Sequence, residues 1–306
     1  MRKRNVLVFI FMSFAVFFNH LLCSISAQTI GDDQIIENVV YGHAGDIQLK
    51  CDIVKPMDGE GPFPALLFFH GGGWQAGDKS HGHHWIKQFA EHGYVGVTVG
   101  YRFAPEFSWP AQIYDAKAAV RYLRQHASEL NIDPNRIGVM GESAGAYLAM
   151  MVGLTNPGDN LEGKSGAEGF SSLVQAVVSY FGVTDFTLAR PVLSPEVMKG
   201  VMAYYGKPLT QVLAEFMGTA EPDQNLLRKM SPVTYVDRDD PPILIFQGDA
   251  DPFVTVAQAN RLNDRLEENE VDHQLYIVEG GGHGWTGQLK LETDDQMFKF
   301  LDKKLK

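Results

Sequence analysis

Arg136-Ile137-Gly138-Val139-Met140-Gly141-Glu142-Ser143-Ala144-Gly145-Ala146-Tyr147-Leu148-Ala149-Met150-Met151 reads as a strand, a sharp turn and a helix. Arg136 to Met140 is a short apolar run with β-branched residues, long enough for a buried strand. Ala144 to Met151 is rich in helix formers. A tight strand-to-helix turn brings backbone against backbone, and Gly141 and Gly145 leave room where a Cβ would collide. The Ser143 hydroxyl then stands on a strained point at a helix N-terminus, where free N–H groups and the dipole favour negative charge. This is the G-x-S-x-G pattern that presents a nucleophile. The competing reading is a Gly-rich turn with Ser143 as a plain helix N-cap.

On either side, strands alternate with helices. Ile35 to Tyr41 and Ile47 to Val54 suggest a hairpin around His43-Ala44-Gly45-Asp46. Ala65 to Phe69, Tyr94 to Val99, Val174 to Phe181, Pro242 to Phe246 and His273 to Val278 read as further strands, several apolar throughout. Trp85 to Glu91, Ala111 to Gln125, Val256 to Glu268 and Leu289 to Leu305 read as helices. The expected fold is α/β: a mostly parallel sheet with helices on both faces. Thr184 to Tyr235 interrupts the alternation with a Met- and aromatic-rich insertion, either a lid over a substrate or a helix pair with its own small core.

The chain has 306 residues, 45% hydrophobic and 21% charged, which suits one large globular domain. Its first residues stand apart. Arg2, Lys3 and Arg4 precede an apolar run from Val6 to Phe18, and Ser24-Ile25-Ser26-Ala27 supplies small residues. Residues 1–27 read as a secretory signal peptide and 28–306 as the mature domain, secreted or periplasmic. A lipoprotein anchored through Cys23 is the lesser alternative, because Leu22 precedes that cysteine. Removing the three basic residues makes the net charge more negative than −11, which argues against nucleic acid or anionic membrane as a partner. Cys51 would be the one cysteine left. It lies in an alternating strand pattern and reads as a small buried residue.

A serine hydroxyl needs a base, and the base needs an orienting acid. His283 lies in Glu279-Gly280-Gly281-Gly282-His283-Gly284-Trp285, directly after a strand. Four glycines around one histidine make poor core and a good loop over a site. After the strand ending at Phe246, Asp249 and Asp251 compete for the acid. Asp249 suits a turn-capping role, and Asp251, stiffened by Pro252, is the choice for the site. His70-Gly71-Gly72-Gly73-Trp74 follows the strand Ala65 to Phe69, where consecutive glycines let N–H groups turn towards an oxyanion. The triplet lacks the endings of a P-loop or dinucleotide turn. All four motifs fall at the C-terminal ends of strands, where open α/β sheets place their sites. His81, His83 and His84 carry no metal-ligand spacing with a carboxylate or cysteine, and no metal is expected. Arg102 and Asp115 suit a structural brace.

These motifs, with Tyr101-Arg102-Phe103-Ala104-Pro105-Glu106, Asp133-Pro134-Asn135-Arg136-Ile137 and Asp251-Pro252-Phe253-Val254, resemble the hormone-sensitive-lipase-like branch of the α/β-hydrolases. Within it the chain is similar to secreted bacterial carboxylesterases akin to acetyl xylan and feruloyl esterases. The resemblance runs from about Ile35 to the C-terminus. It implies an α/β-hydrolase fold with a lid-like insertion at 184–235. It also implies Ser143 as nucleophile, Asp251 as acid, His283 as base, and the N–H groups of Gly71, Gly72 and Ala144 as oxyanion hole. Few residues precede the first strands, so the long N-terminal cap of many lipase-like relatives is not expected, which favours an open, shallow site. Ala146 and Gln247 depart from the family pattern, and neither is expected to touch the chemistry directly.

The expected function is a secreted serine esterase acting on short acyl groups, with no cofactor. The partner would be a small-molecule or polysaccharide ester, and Trp74 and Trp285 would offer faces for sugar stacking. The alternatives are a peptidase or amidase on the same triad, and a non-catalytic binding protein of the same fold. Sequence says nothing of oligomeric state.

Overall fold

The apolar runs form one eight-stranded sheet in a computed structural model that describes residues 30–189 and 191–306. The signal segment 1–27 and Cys23 lie outside the described residues. The strands are β1 (Ile36–Ala44), β2 (Ile47–Val54), β3 (Phe63–Phe69), β4 (Val95–Val99), β5 (Ile132–Glu142), β6 (Ala176–Tyr180), β7 (Ile243–Gly248) and β8 (His273–Val278). Their order across the sheet is β1-β2-β4-β3-β5-β6-β7-β8. β1 and β2 pair antiparallel, as do β2 and β4, and all later pairs are parallel. This is the expected α/β class. Several boundaries shift by one or two residues, and two larger shifts have a clear cause in the pairing. β1 runs on to Ala44, so the first hairpin closes on Gly45 and Asp46 alone, with Ala44 opposite Ile47. β5 starts early because Ile132 pairs with Phe63 before a register shift returns Ala65 to Ile137.

The helices are α1 (His83–Glu91), α2 (Ala111–Gln125), α3 (Ala127–Leu130), α4 (Ala144–Leu154), α5 (Pro195–Tyr205), α6 (Leu209–Met217), α7 (Gln224–Met230), α8 (Val256–Glu268) and α9 (Gln288–Leu305). Alternation along β3 shows how the layers form. Leu66 and Phe68 pack with Trp85 and Phe89 of α1 and Met297 and Leu301 of α9. Ala65, Leu67 and Phe69 point the other way, towards Ile113 of α2, Tyr147 of α4 and Leu262 of α8. A strand covered on both faces has no use for polar alternation, which is why β3 reads as one apolar run. Every residue of α4 is buried, consistent with its apolar character all round. Cys51 is buried on β2, as its pattern implied. Among the described residues no helix is long and apolar enough to cross a membrane.

Among the described residues, the insertion between β6 and β7 contains three α-helices, α5, α6 and α7, where the sequence suggested a lid or a helix pair. It is closed at its base. The Val233 N–H donates to Thr184 O at 3.2 Å, and the Phe186 N–H to Ser231 Oγ at 2.8 Å. Gln258 of α8 reaches the same point. Its Oε1 accepts from the N–H groups of Thr184 and Asp185 at 2.8 and 2.7 Å, and its Nε2 donates to Asp185 O at 2.9 Å. Above that base the insertion meets the strand ends through apolar side chains, among them Phe216, which is fully buried.

Candidate active site

The turn after β5 has the geometry its glycines imply. A Cβ on Gly141 would lie 2.2 Å from Gly145 C, and one on Gly145 would lie 1.9 Å from Phe69 O. Ser143 sits at φ 53°, ψ −117°, a region few L-residues occupy. Its hydroxyl makes no capping bond to α4, against the N-cap reading. It lies instead 2.8 Å from His283 Nε2.

His283 Nδ1 lies 2.7 Å from Asp251 Oδ2. An ionised carboxylate can only accept, so Nδ1 carries the proton and Nε2 is left to accept from the serine hydroxyl. Asp251 is itself held. Its Oδ1 accepts from the N–H groups of Phe253 and Val254 at 2.8 and 3.0 Å, which turns Oδ2 towards the imidazole. The rings of Phe181 and Phe253 pack against the His283 ring, at 4.8 and 5.1 Å between centroids. The imidazole is thus fixed in plane and position by groups from three strand ends.

Between the two competing aspartates, the structure brings Asp251 to the imidazole and gives Asp249 a different task. Asp249 Oδ1 accepts from the Gly280 N–H at 2.8 Å, while the Ala250 N–H donates to Gly281 O at 2.9 Å. The acid and base loops are therefore cross-linked. Asp249 caps the histidine loop and not its own turn.

The glycine loop after β3 lies against the serine. A Cβ on Gly71 would stand 3.2 Å from Glu142 O and 3.4 Å from Ser143 Cβ. Gly72 has φ +121°, and a Cβ there would fall 2.0 Å from Ala76 O. His70 anchors the loop. Its Nδ1 donates to Gly71 O at 2.7 Å, and its ring stacks on Tyr101 at 4.5 Å. The Tyr101 hydroxyl donates to His70 O at 2.8 Å. Burial pushes the His70 pKa down to about 4, so its ring stays neutral at ordinary pH. Behind it Arg102 forks onto Asp115, with Nε–Oδ2 at 2.9 Å and Nη2–Oδ1 at 2.7 Å, the brace expected from sequence.

The expected role of Trp74 is corrected. Trp74 offers no open face for a sugar to stack on and only borders the apolar chamber beside Ser143. It is 3% exposed and stacked on Phe216 at 3.9 Å, because the cover brings a ring onto it from far along the chain. Gln247, expected to make no direct contact with the chemistry, lies one step behind it. Its Nε2 lies 3.3 Å from Asp251 Oδ2 and donates to Val254 O at 2.7 Å, tying the acid to the loop that carries it.

Two chambers open from Ser143 and His283. One, of about 520 Å³, is lined by Trp85, Glu142, Tyr204, Trp285, Lys290 and Asp294. Trp285 is half-buried there and donates to Thr293 Oγ1 at 2.9 Å. The Trp85 N–H donates to Glu142 Oε1 at 3.0 Å, and Lys290 Nζ lies 3.9 Å above the Trp85 ring and 2.6 Å from Asp294 Oδ2. Burial raises the carboxyl pKa of both Glu142 and Asp294. Asp294 Oδ1 is buried with no partner among the described residues. The other chamber, of about 280 Å³, is apolar, with Val183, Val201, Leu209, Leu213 and Phe253 in its wall. The site is recessed under a cover, and the expectation of an open, shallow one is corrected.

Sequence reasoning missed Trp85, Glu142, Lys290 and Asp294. Glu142 was legible as the neighbour of Ser143. The others meet it only through the packing of α1 and α9 and carried no local signal. Of the histidine cluster, His83 Nε2 lies 2.8 Å from Asp52 Oδ2, beside Lys79. Among the described residues no three His, Cys, Asp or Glu side chains gather as metal ligands.

Residues 51–266 match the BD-FAE family, a stretch that holds Ser143 and Asp251 and stops before His283. The "Probable carboxylic ester hydrolase LipM" of Mycobacterium tuberculosis is 32% identical over 238 residues, 74% of this chain and 52% of the relative. The chain spans about half the length of the curated relatives it matches. Among solved structures, a truncated carbohydrate esterase from gut microbiota superposes with a TM-score of 0.73 at 28% identity, covering 90% of this chain and 100% of that one. The propionate-bound esterase Est2 of Thermogutta terrifontis gives 0.68 at 26% identity, covering 87% and 92%.

Proposed function

The chain belongs to the BD-FAE family of α/β-hydrolases, and from that premise we propose that it is a secreted serine carboxylesterase. The observation that carries the reading is the single imidazole bridging Ser143 and Asp251 at 2.8 and 2.7 Å. Ser143 Oγ attacks the ester carbonyl carbon while His283 Nε2 takes its proton. The carbonyl oxygen becomes an oxyanion, which the N–H groups of Gly71, Gly72 and Ala144 stabilise. His283 then gives the proton to the leaving alcohol. Asp251 holds the imidazole and balances its positive charge. Water, deprotonated by the same imidazole, cleaves the acyl-serine and returns the enzyme. Ester and water become acid and alcohol, with no cofactor.

The two chambers suit the two halves of an ester. The polar one fits a hydroxylated alcohol such as an acetylated plant polysaccharide. Trp285 supplies an aromatic wall, and Lys290 and Glu142 supply hydrogen-bonding groups. The carbohydrate esterase among the similar structures supports that alcohol class. The apolar chamber of about 280 Å³ takes the acyl group, and short acids fit it readily. Secretion is supported by the basic and apolar segments before Ala27.

The test is hydrolysis of p-nitrophenyl acetate and butyrate and of acetylated xylan by the chain from Gln28, with Ser143→Ala as blank. Turnover of the short esters by the wild type, lost by at least about 10⁴-fold in the variant, is expected. Acetate release from xylan would establish the polysaccharide, and its absence would remove that part alone. Equal inactivity of both proteins on every ester would sink the esterase reading. Aminoacyl substrates turned over faster than esters would replace it with the peptidase.

A further inference from the structure

The space under the cover exceeds what a short acyl group needs. Behind the apolar chamber at Ser143 lies a second apolar cavity of about 610 Å³. Val183, Val201, Leu209, Leu213 and Phe253 form part of the wall of both, so the two volumes are neighbours along a shared apolar wall. The outer cavity continues along Phe186, Leu188, Met198 and Met202. The carboxylate that borders it, Asp185, is committed elsewhere. Its Oδ1 accepts from the Thr187 N–H at 2.8 Å, and its Oδ2 lies 3.3 Å from Arg261 Nε. No free charge therefore faces the cavity from that residue.

An apolar hollow this size that opens to solvent leaves its walls wet, and an apolar occupant would displace that water. Met198 and Met202 remain 48% and 46% exposed at its rim, where an apolar occupant would cover them. Methionine walls also adapt to an unbranched chain. We propose that the two apolar chambers form one acyl channel, running from Ser143 beneath α5 and α6, that accepts linear medium-chain acyl groups such as octanoyl. The proposal rests on the esterase reading and adds the acyl class. With the carbonyl carbon at Ser143 Oγ and the alcohol in the polar chamber, an alkyl tail passes the shared wall and enters the outer cavity. Each methylene so buried is worth up to roughly fourfold in binding.

The experiment measures kcat/KM for p-nitrophenyl acetate, butyrate and octanoate below their aggregation limits. It compares the wild type with Val201→Trp, which thickens the shared wall, and Met202→Asp, which sets a charge at the rim. The wild type should favour octanoate over acetate by roughly tenfold or more. Both variants should lower the octanoate-to-acetate ratio by a similar factor. Met202 lies at the surface, so Met202→Asp still decides the matter should Val201→Trp misfold. A ratio identical in all three proteins, or octanoate poorer than acetate in the wild type, overturns the channel. So does a defect that follows alcohol length, read with ethyl and octyl acetate, because the cavity would then hold the alcohol. Acetate hydrolysis that disappears in Ser143→Ala keeps the esterase reading in each of those outcomes, so the two failures are told apart.

Discussion

The loops after β7 and β8 and the insertion after β6 all leave the sheet at the same edge, yet they are held in different ways. The first two are tied by directional bonds. Asp249 caps Gly280, Ala250 binds Gly281, and Gln247 reaches both Asp251 and Val254. The insertion is bonded at its base and again at α6, where Gln75 Nε2 donates to Val212 O at 2.7 Å and the Trp109 N–H to Phe216 O at 2.8 Å, but the wall it turns to the site is made of the apolar side chains of Val201, Leu209 and Leu213. Proton transfer depends on distances held to a few tenths of an ångström, which hydrogen bonds can set. An apolar wall needs volume and tolerates changes of shape. On the esterase reading, positioning and selection thus fall to different segments of the chain.

The strongest way to break that division is through the acid. Asp251→Asn should lower kcat on p-nitrophenyl acetate by about 10⁴-fold, because an amide no longer fixes the Nδ1–H tautomer. Asp249→Asn should cost far less, since it removes only part of a backbone cap. Losses of equal size in the two variants would mean that Asp249 shares the role of the acid.

Next comes the anchor of the glycine loop. His70 titrates near 6.5 in the unfolded chain and near 4 in the folded one, as burial disfavours its charged form. Between those values the unfolded chain binds the extra proton, so stability falls as pH drops through that window. At its lower end the loss reaches about 3 kcal/mol. His70→Asn keeps an amide donor and cannot titrate. Denaturant unfolding at pH 7 and pH 4.5 should show a smaller pH-dependent loss in the variant than in the wild type. The same loss in both would remove His70 as its source.

The smallest expected effect belongs to Gln247. Gln247→Leu leaves the Val254 carbonyl without its donor and loosens Asp251. A roughly tenfold fall in kcat with little change in KM should follow. A change in KM alone would place Gln247 in substrate binding instead.

Much of this arrangement is legible in the sequence where the signal is local. α2 and α8 and the strand β8 run over the residues that periodicity marks, and Ser143, Asp251 and His283 each follow an apolar strand. What escapes is the contact made across distance. Trp74 beside a glycine triplet looks like an exposed ring, and only Phe216 on α6 makes it core. Gln247 looks like a neutral substitution until the chain turns back at Val254. Lys290 and Asp294 are ordinary positions on an amphipathic helix, and the way α9 lies against α1 is what brings them beside Trp85 and Glu142.

The stapled base of the insertion has a consequence for descent. Because Thr184 and Val233 are bonded to each other, the segment departs and returns at nearly one point on the sheet edge. Such a segment is a cassette. Evolution can lengthen it, shorten it or exchange it for a relative's while the acid, the base and the elbow stay in register. Lineages that keep Thr184, Ser231 and Gln258 can therefore diversify their clientele without rebuilding their chemistry.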